Sequence, residues 1–213
     1  AVGSAVLTFN PVADTYVDAG ATSTKFGTAT TMISDASPIK EAYLRFTVTG
    51  VGLAGIESAK LRLTAGSSSA SSSDAGGIVH AISNNTWSEA NTSYSNRPTV
   101  DGPALASAAA VAANQVVDLT VTPAVFGDGT YNFALVTTSS NDVIYNSREA
   151  ASGKPQLIVT LAQNQAPIVH IGAPAPGVSI NPGTALTFTA TATDAESGNL
   201  ASQIQGSSRQ DGN

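Results

Sequence analysis

Ala42-Tyr43-Leu44-Arg45-Phe46-Thr47-Val48 alternates apolar and polar side chains with a period of two, the pattern of a strand with one face turned to a core and the other outward. Leu44 and Phe46 take the apolar phase; Tyr43 and Arg45 take the opposite one. Similar segments recur at residues 6–9, 59–63, 77–82, 131–136 and 156–161, separated by Gly, Pro, Asn and Asp. Many short alternating strands within about 160 residues imply two antiparallel sheets packed face to face. The expectation is therefore an all-β chain built on a β-sandwich.

Composition supports this. Charged residues are 11% of the 213, too few for the Glu, Lys and Arg that solvated helices use, while the formal net charge is −6. That balance argues against nucleic acid or anionic lipid as the main partner, since phosphate neutralisation needs clustered cations. The chain has no cysteine, which rules out disulfides and thiolate metal sites and leaves burial or oxygen-ligated ions as sources of stability. No run of about 18 apolar residues spans a bilayer as a helix. Ala1-Val2-Gly3-Ser4-Ala5 reads as a mature N-terminus after signal cleavage, and the chain as secreted or exposed at the cell surface.

Two stretches between strands read as irregular. Ser67-Ser68-Ser69-Ala70-Ser71-Ser72-Ser73 offers no apolar surface to bury and is expected to form a mobile hairpin tip, with O-glycosylation as the alternative role. The Ala-rich residues 104–113 lack a helical stripe and read as an extended or irregular connection. At Asn164-Gln165-Ala166-Pro167 the texture changes, giving a domain at residues 1–162, a linker at 163–167 and a second domain at 168–213 that is too short for a complete seven-stranded sandwich. Such a fragment would be completed by sequence beyond it or by another chain, through strand addition.

The blocks Ala13-Asp14-Thr15-Tyr16-Val17-Asp18, Ala42 to Phe46, Ser58 to Leu63, Thr86-Trp87-Ser88-Glu89, Ser95-Asn96-Arg97-Pro98, Asn146-Ser147-Arg148-Glu149-Ala150 and Lys154 to Val159 resemble the DNRLRE-type domain. That domain overlaps the family-96 carbohydrate-binding modules attached to polysaccharide lyases and surface proteins. The resemblance implies a jelly-roll-like β-sandwich that binds glycans, alginate among them, and often holds a structural calcium ion. Residues 166–213 similarly resemble the start of a bacterial immunoglobulin-like or PKD-like repeat, implying a partial immunoglobulin-like β-sandwich, although Gly206 stands where that family usually has an aromatic residue.

The residues themselves offer two kinds of candidate site. Asp14, Asp18 and Asp35 lie in the turn-rich region around the first strands and could ligate calcium through oxygen, or cap their own turns, with Asp118 and Asp142 behind them. Tyr43, Arg45, Lys60 and Arg62 sit on outward phases and Arg148 in a motif block. Read as one cationic face, they would grip an acidic polysaccharide through bidentate guanidinium–carboxylate pairs. The competing reading pairs Arg45 and Arg148 with Glu41, Glu57 or Glu149 as structural salt bridges. Trp87, the one tryptophan, reads as a loop anchor on the core. His80 and His170 lie in different domains with no acidic partner near in sequence, so nothing supports a catalytic triad. Asn84-Asn85-Thr86 and Asn91-Thr92-Ser93 are formal N-glycosylation sequons. The expected function is non-catalytic carbohydrate binding, with a structural or adhesive subunit of a surface filament, joined to its own copies through the C-terminal segment, as the alternative.

Overall fold

The computed structural model describes residues 4–52, 54–163, 165–179, 181, 183–194 and 198–205. The readings placed on Ala1 to Gly3, on Asn164 and on Gly206 lie outside the described residues. The chain divides into two compact units, Ala1–Ala162 and Gln163–Asn213.

The first unit is a β-sandwich. Its smaller sheet orders β1 (Val6–Phe9), β11 (Gln156–Leu161), β5 (Ile56–Thr64) and β8 (Val116–Thr120) side by side. Its larger, seven-stranded sheet runs β10 (Val143–Asn146), β3 (Thr31–Ala36), β4 (Ile39–Val48), β9 (Gly129–Val136), β6 (Gly77–Ala81) and β7 (Ala104–Ala108), with β2 (Ala13–Asp18) also paired to β4. Every pairing is antiparallel. Leu44, Phe46, Phe133 and Leu135 from the larger sheet meet Leu61, Leu63, Leu119, Leu157 and Val159 from the smaller, all fully or almost fully buried. Each such side chain contributes roughly 1.5–3 kcal/mol on leaving water. The period-two pattern of residues 42–48 is realised as read, and the Ala-rich segment is extended in β7.

The serine run corrects its expectation. Ser68 Oγ accepts from Ala70 N, and Ser73 exchanges both backbone hydrogen bonds with Val111 while its hydroxyl donates to Asn141 O at 2.6 Å. Ser71 and Ser73 are buried. Hydroxyls substitute here for apolar contacts: a small side chain that carries its own donor fits where the backbone needs one, so the segment is a bonded corner and not a free tip.

A second correction concerns Tyr43. Its phase is outward as read, away from the sandwich core, yet it is fully buried. The long connection 82–103, between β6 and β7, lies over the outer face of the larger sheet. Ile82 and Trp87 from this loop pack on Ala13, Val17, Tyr43 and Ala134, with Tyr94 and Val100 closing the edge of this second apolar cluster. A connection of this length whose one regular element is the short 3-10 turn Tyr94–Asn96 is unusual in a compact domain and commonly carries function.

Its anchor is polar. Asn132 Oδ1 accepts from Arg45 Nε at 2.9 Å and from Trp87 Nε1 at 2.8 Å, and its amide donates to Asn85. Arg45 Nη2 also donates to Trp87 O at 2.8 Å, and its guanidinium lies 4.6 Å from the indole ring centroid. Trp87 thus anchors the loop, as expected.

The second unit contains β12 (Ile168–Ala173), β13 (Thr189–Asp194) and β14 (Gly198–Asn199) in one antiparallel sheet. Ile168, Val169, Ile171 and Phe188 are exposed. Among the described residues, no helix is long and apolar enough to cross a membrane.

Trp87→Ala removes both the ring and the loop's anchor, and is expected to lower unfolding free energy by about 3–5 kcal/mol in urea titrations followed by tyrosine fluorescence. A cost below about 1 kcal/mol would show that the loop is not part of the folded unit.

Candidate functional site

The sandwich has a loop-covered outer face, an uncovered one and a buried charged cluster, and the expected residues are distributed among them instead of being gathered on one. Tyr43 and Arg45 belong to β4 in the larger sheet, whereas Lys60 and Arg62 belong to β5 in the smaller. Both pairs point away from the core, so they lie on opposite outer faces of the sandwich; the single cationic face is corrected. Arg45 is engaged by Asn132 and Trp87, and Tyr43 has its hydroxyl 2.7 Å from Glu41 Oε2 and 3.0 Å from Pro98 O. Burial first, then the Glu41 carboxylate, pushes the Tyr43 hydroxyl well above its ordinary pKa.

The outer face of the smaller sheet remains open. Register places Thr8, Ile158, Lys60 and Thr120 in one row across its four strands, and Gln156, Arg62 and Asp118 in the next. Lys60, Thr8, Thr120 and Asp118 are exposed. Arg62 forms a fork with Asp118 at 2.7 and 2.8 Å. Hydrogen bonding to Arg62 holds the Asp118 carboxyl below its usual range. With side-chain exposures of 40% and 31%, the pair is a surface salt bridge worth roughly 0–1 kcal/mol, so exchanging one carboxylate for another costs little.

The buried cluster forms at one end of the larger sheet. Asp14 on β2 shares its phase with Tyr16 and sits opposite Leu44, so its carboxyl faces the core and is almost completely buried. Glu89 arrives from the covering loop, and Arg148 and Glu149 from the turn after β10. That turn is fixed by Ser147, whose hydroxyl donates to Ala29 O at 2.6 Å and accepts from Glu149 N at 3.1 Å. Glu89 Oε1 accepts from Asp14 N at 2.8 Å, Arg148 N donates to Asp14 Oδ2 at 2.7 Å, and Arg148 Nη1 lies 2.7 Å from Glu89 Oε2 and 3.4 Å from Glu149 Oε1. Gly27 makes room for this approach: a Cβ there would stand 2.2 Å from Glu89 O.

Asp14, Glu89 and Glu149 can each bring one carboxylate oxygen within 4.8 Å of the others. Among the described residues, Glu149 Oε2 is buried without a hydrogen-bond partner. Burial, opposed by the Arg148 amide and reinforced by the charges of Glu149 and Glu89, pushes the Asp14 carboxyl up to about 7. Three carboxylates against one guanidinium leave an excess of negative charge in a hard oxygen environment, which fits a divalent cation such as calcium in donor chemistry and charge.

Asp18 and Asp35 stand elsewhere. Asp18 Oδ1 accepts from Gly20 N at 2.7 Å and caps the 3-10 turn Ala19–Ala21. Asp35 accepts from Ser37 N at 3.1 Å and lies 3.3 Å from Lys40 Nζ, which is 3.6 Å from Asp142. The three aspartates are not brought together. Glu89 and Glu149 were within reach of the sequence, since both stand in motif blocks, but nothing local marks them as neighbours of Asp14. His80 Nδ1 lies 3.0 Å from Gly102 O on the covered side, and His170 belongs to the other unit.

The profile of carbohydrate-binding module family 96 matches residues 5–161. The chain belongs to that family. Its sandwich is thus a carbohydrate-binding module, of a class that is non-catalytic. A comparison with curated proteins found no match.

The raised Asp14 carboxyl gives a signed pH dependence. Between an unfolded pKa near 3.9 and the folded value of about 7, the folded module binds more protons than the unfolded chain, so stability falls as pH rises through that window. In chelator, the melting temperature is expected to drop by roughly 5 °C between pH 5 and pH 7.5, and Asp14→Asn, which keeps an acceptor for Arg148 N, flattens the drop. Equal slopes for the two proteins would show that Asp14 does not change protonation between these pH values.

Proposed function

We propose that this module binds an acidic polysaccharide, a polyuronate such as alginate or pectate, on the open outer face of its four-stranded sheet, with Lys60 and Arg62 as the contacting cations. The observation that carries the reading is the asymmetry of the sandwich: the 82–103 loop closes one outer face, while the other presents rows of mostly polar side chains that include Lys60 and Arg62. Arg62 would exchange its exposed Asp118 partner for a uronate carboxylate in the same forked geometry, and Lys60 would add a point charge one row away. Thr8, Thr120 and Gln156 line the same rows and offer hydroxyls and an amide to sugar hydroxyls. Arg45 and Tyr43 take a structural part under the loop, and Arg148 orders the acidic cluster.

In the same reading, Asp14, Glu89 and Glu149 hold a calcium ion that ties the covering loop to β2 and to the turn after β10. The ion would supply the positive charge that Glu149 Oε2 and the elevated Asp14 carboxyl lack. Its part is bracing and not contact with sugar. In this reading the protein works outside the cell, secreted or on its surface, where polyuronates are met.

A second reading rests on the C-terminal unit. β12 has one unpaired edge among the described strands and exposes Ile168, Val169 and Ile171, which suits strand addition by a second copy. Deleting residues 166–213 should then convert assemblies seen by electron microscopy to monomers; a full-length chain that is monomeric at high concentration would exclude it.

For the principal reading, Lys60→Ser combined with Arg62→Ser should weaken binding to polygalacturonate or alginate by about 10–100-fold in calorimetry, given roughly 1.4 kcal/mol per decade. Wild-type affinity should also fall as salt rises from 50 to 500 mM. Unchanged affinity in the double variant would overturn the assignment of this face.

A further inference from the structure

The loop that closes the larger sheet leaves a cavity of about 220 Å³, lined by Glu41, Arg97, Pro98, Thr99 and Val100. Tyr43 lies beneath it, with its hydroxyl held between Glu41 Oε2 and Pro98 O. Arg97 is fixed on three sides. Its Nε donates to Glu41 Oε2 at 2.7 Å, its Nη1 donates to Tyr94 O at 2.8 Å, and its guanidinium carbon stands 3.7 Å from the Tyr94 ring centroid. Among the described residues, both N–H groups of Nη2 and the Oε1 lone pairs of Glu41 have no partner. Both atoms meet solvent, and both residues line the cavity.

A free donor fork and a free acceptor, each held rigid by its other bonds, form a preorganised pair. A vicinal diol complements such a pair: one hydroxyl donates to Glu41 Oε1 and its neighbour accepts from Arg97 Nη2. A carboxylate ligand would gain from Arg97 but face the Glu41 charge at contact distance, so the pair favours an uncharged ring. The volume is below the roughly 300 Å³ at which sites for drug-sized ligands begin, which suits one sugar ring and not a chain.

We infer that the Glu41–Arg97 cavity is a second carbohydrate subsite, which takes a single uncharged pyranose unit through a vicinal hydroxyl pair. It rests on the carbohydrate-binding nature of the module but uses none of the residues of the open face. The two sites lie on opposite sides of the sandwich, so one module could hold a chain on one face and a neutral sugar end or branch on the other.

The test is a ¹⁵N-edited NMR titration of the full chain with methyl α-mannopyranoside and methyl β-galactopyranoside, with methyl glucuronide and a methyl 2,3-dideoxyglycoside as comparators. A neutral glycoside should move the Thr99 and Val100 amides saturably, with a dissociation constant on the order of 1 mM. The dideoxy compound should move them at least tenfold more weakly, and the glucuronide less than its neutral counterpart. Thr99→Tyr, which fills the cavity from an exposed position and leaves the ion pair intact, should abolish the shifts, as should Arg97→Lys. The inference is overturned if no neutral glycoside moves these amides, if Thr99→Tyr leaves the shifts in place, or if the glucuronide binds best. Lys60→Ser/Arg62→Ser should leave the shifts unchanged. Polyuronate binding without cavity shifts would defeat this inference alone; cavity shifts without polyuronate binding would defeat only the open-face reading.

Discussion

One side-chain amide governs how this module is arranged. Asn132 stands on the outward phase of β9, opposite Arg45, and its single oxygen receives both the Arg45 guanidinium and the Trp87 indole while its nitrogen reaches Asn85. A buried donor without a partner costs about 1–3 kcal/mol, so the buried Trp87 indole depends on Asn132, and the half-buried Arg45 binds the same oxygen. The sheet contributes Asn132 and Arg45, the loop contributes Trp87 and Asn85, and neither half is complete without the other. The loop is therefore fastened by a polar knot with an apolar skirt, where a purely apolar contact would specify position only loosely.

The consequences for binding follow from that fastening. With Trp87 fixed, Glu89 two residues later is delivered to Asp14 and Arg148, and further along the loop Arg97 is delivered to Glu41. One loop thus builds an acidic cluster and a cavity with a rigid ion pair, while sealing Tyr43 beneath it. In a chain with only 11% charged residues, Lys40, Arg45, Arg97 and Arg148 are spent on internal fastening. That leaves the smaller sheet, where Arg62 carries only a surface partner, as the face with cationic character to spare.

Much of the fold was legible because it rests on period two: the strands at residues 42–48, 59–63, 77–81, 131–136 and 156–161 are present, and the phases of Leu44, Phe46, Tyr43 and Arg45 are as alternation dictates. What alternation cannot report is strand pairing. Placing β4 and β5 in different sheets depends on contacts far apart in sequence, and that alone separates Arg45 from Lys60 and Arg62. Nor can it report what covers an outward residue, which is why Tyr43 is buried. Asp14 was legible in part, since it shares its phase with Tyr16, but its neighbours Glu89 and Glu149 come from 75 and 135 residues away along the chain. Asp18 and Asp35 take the local turn and pairing roles that short polar side chains adopt most readily. The serine run was misjudged because absence of apolar surface was equated with absence of order.

The account depends most on the loop and the larger sheet folding as one unit, and native-state hydrogen exchange measures that directly. The amides of Thr92 and Ser95, which donate to Ser88 O and Thr22 O, should open with free energies close to those of β4 and β9. In an Asn132→Leu variant they should lose protection together, while β5 and β11 amides keep their relative protection. Loop amides that exchange rapidly in the unaltered protein, or that are indifferent to Asn132, would contradict it.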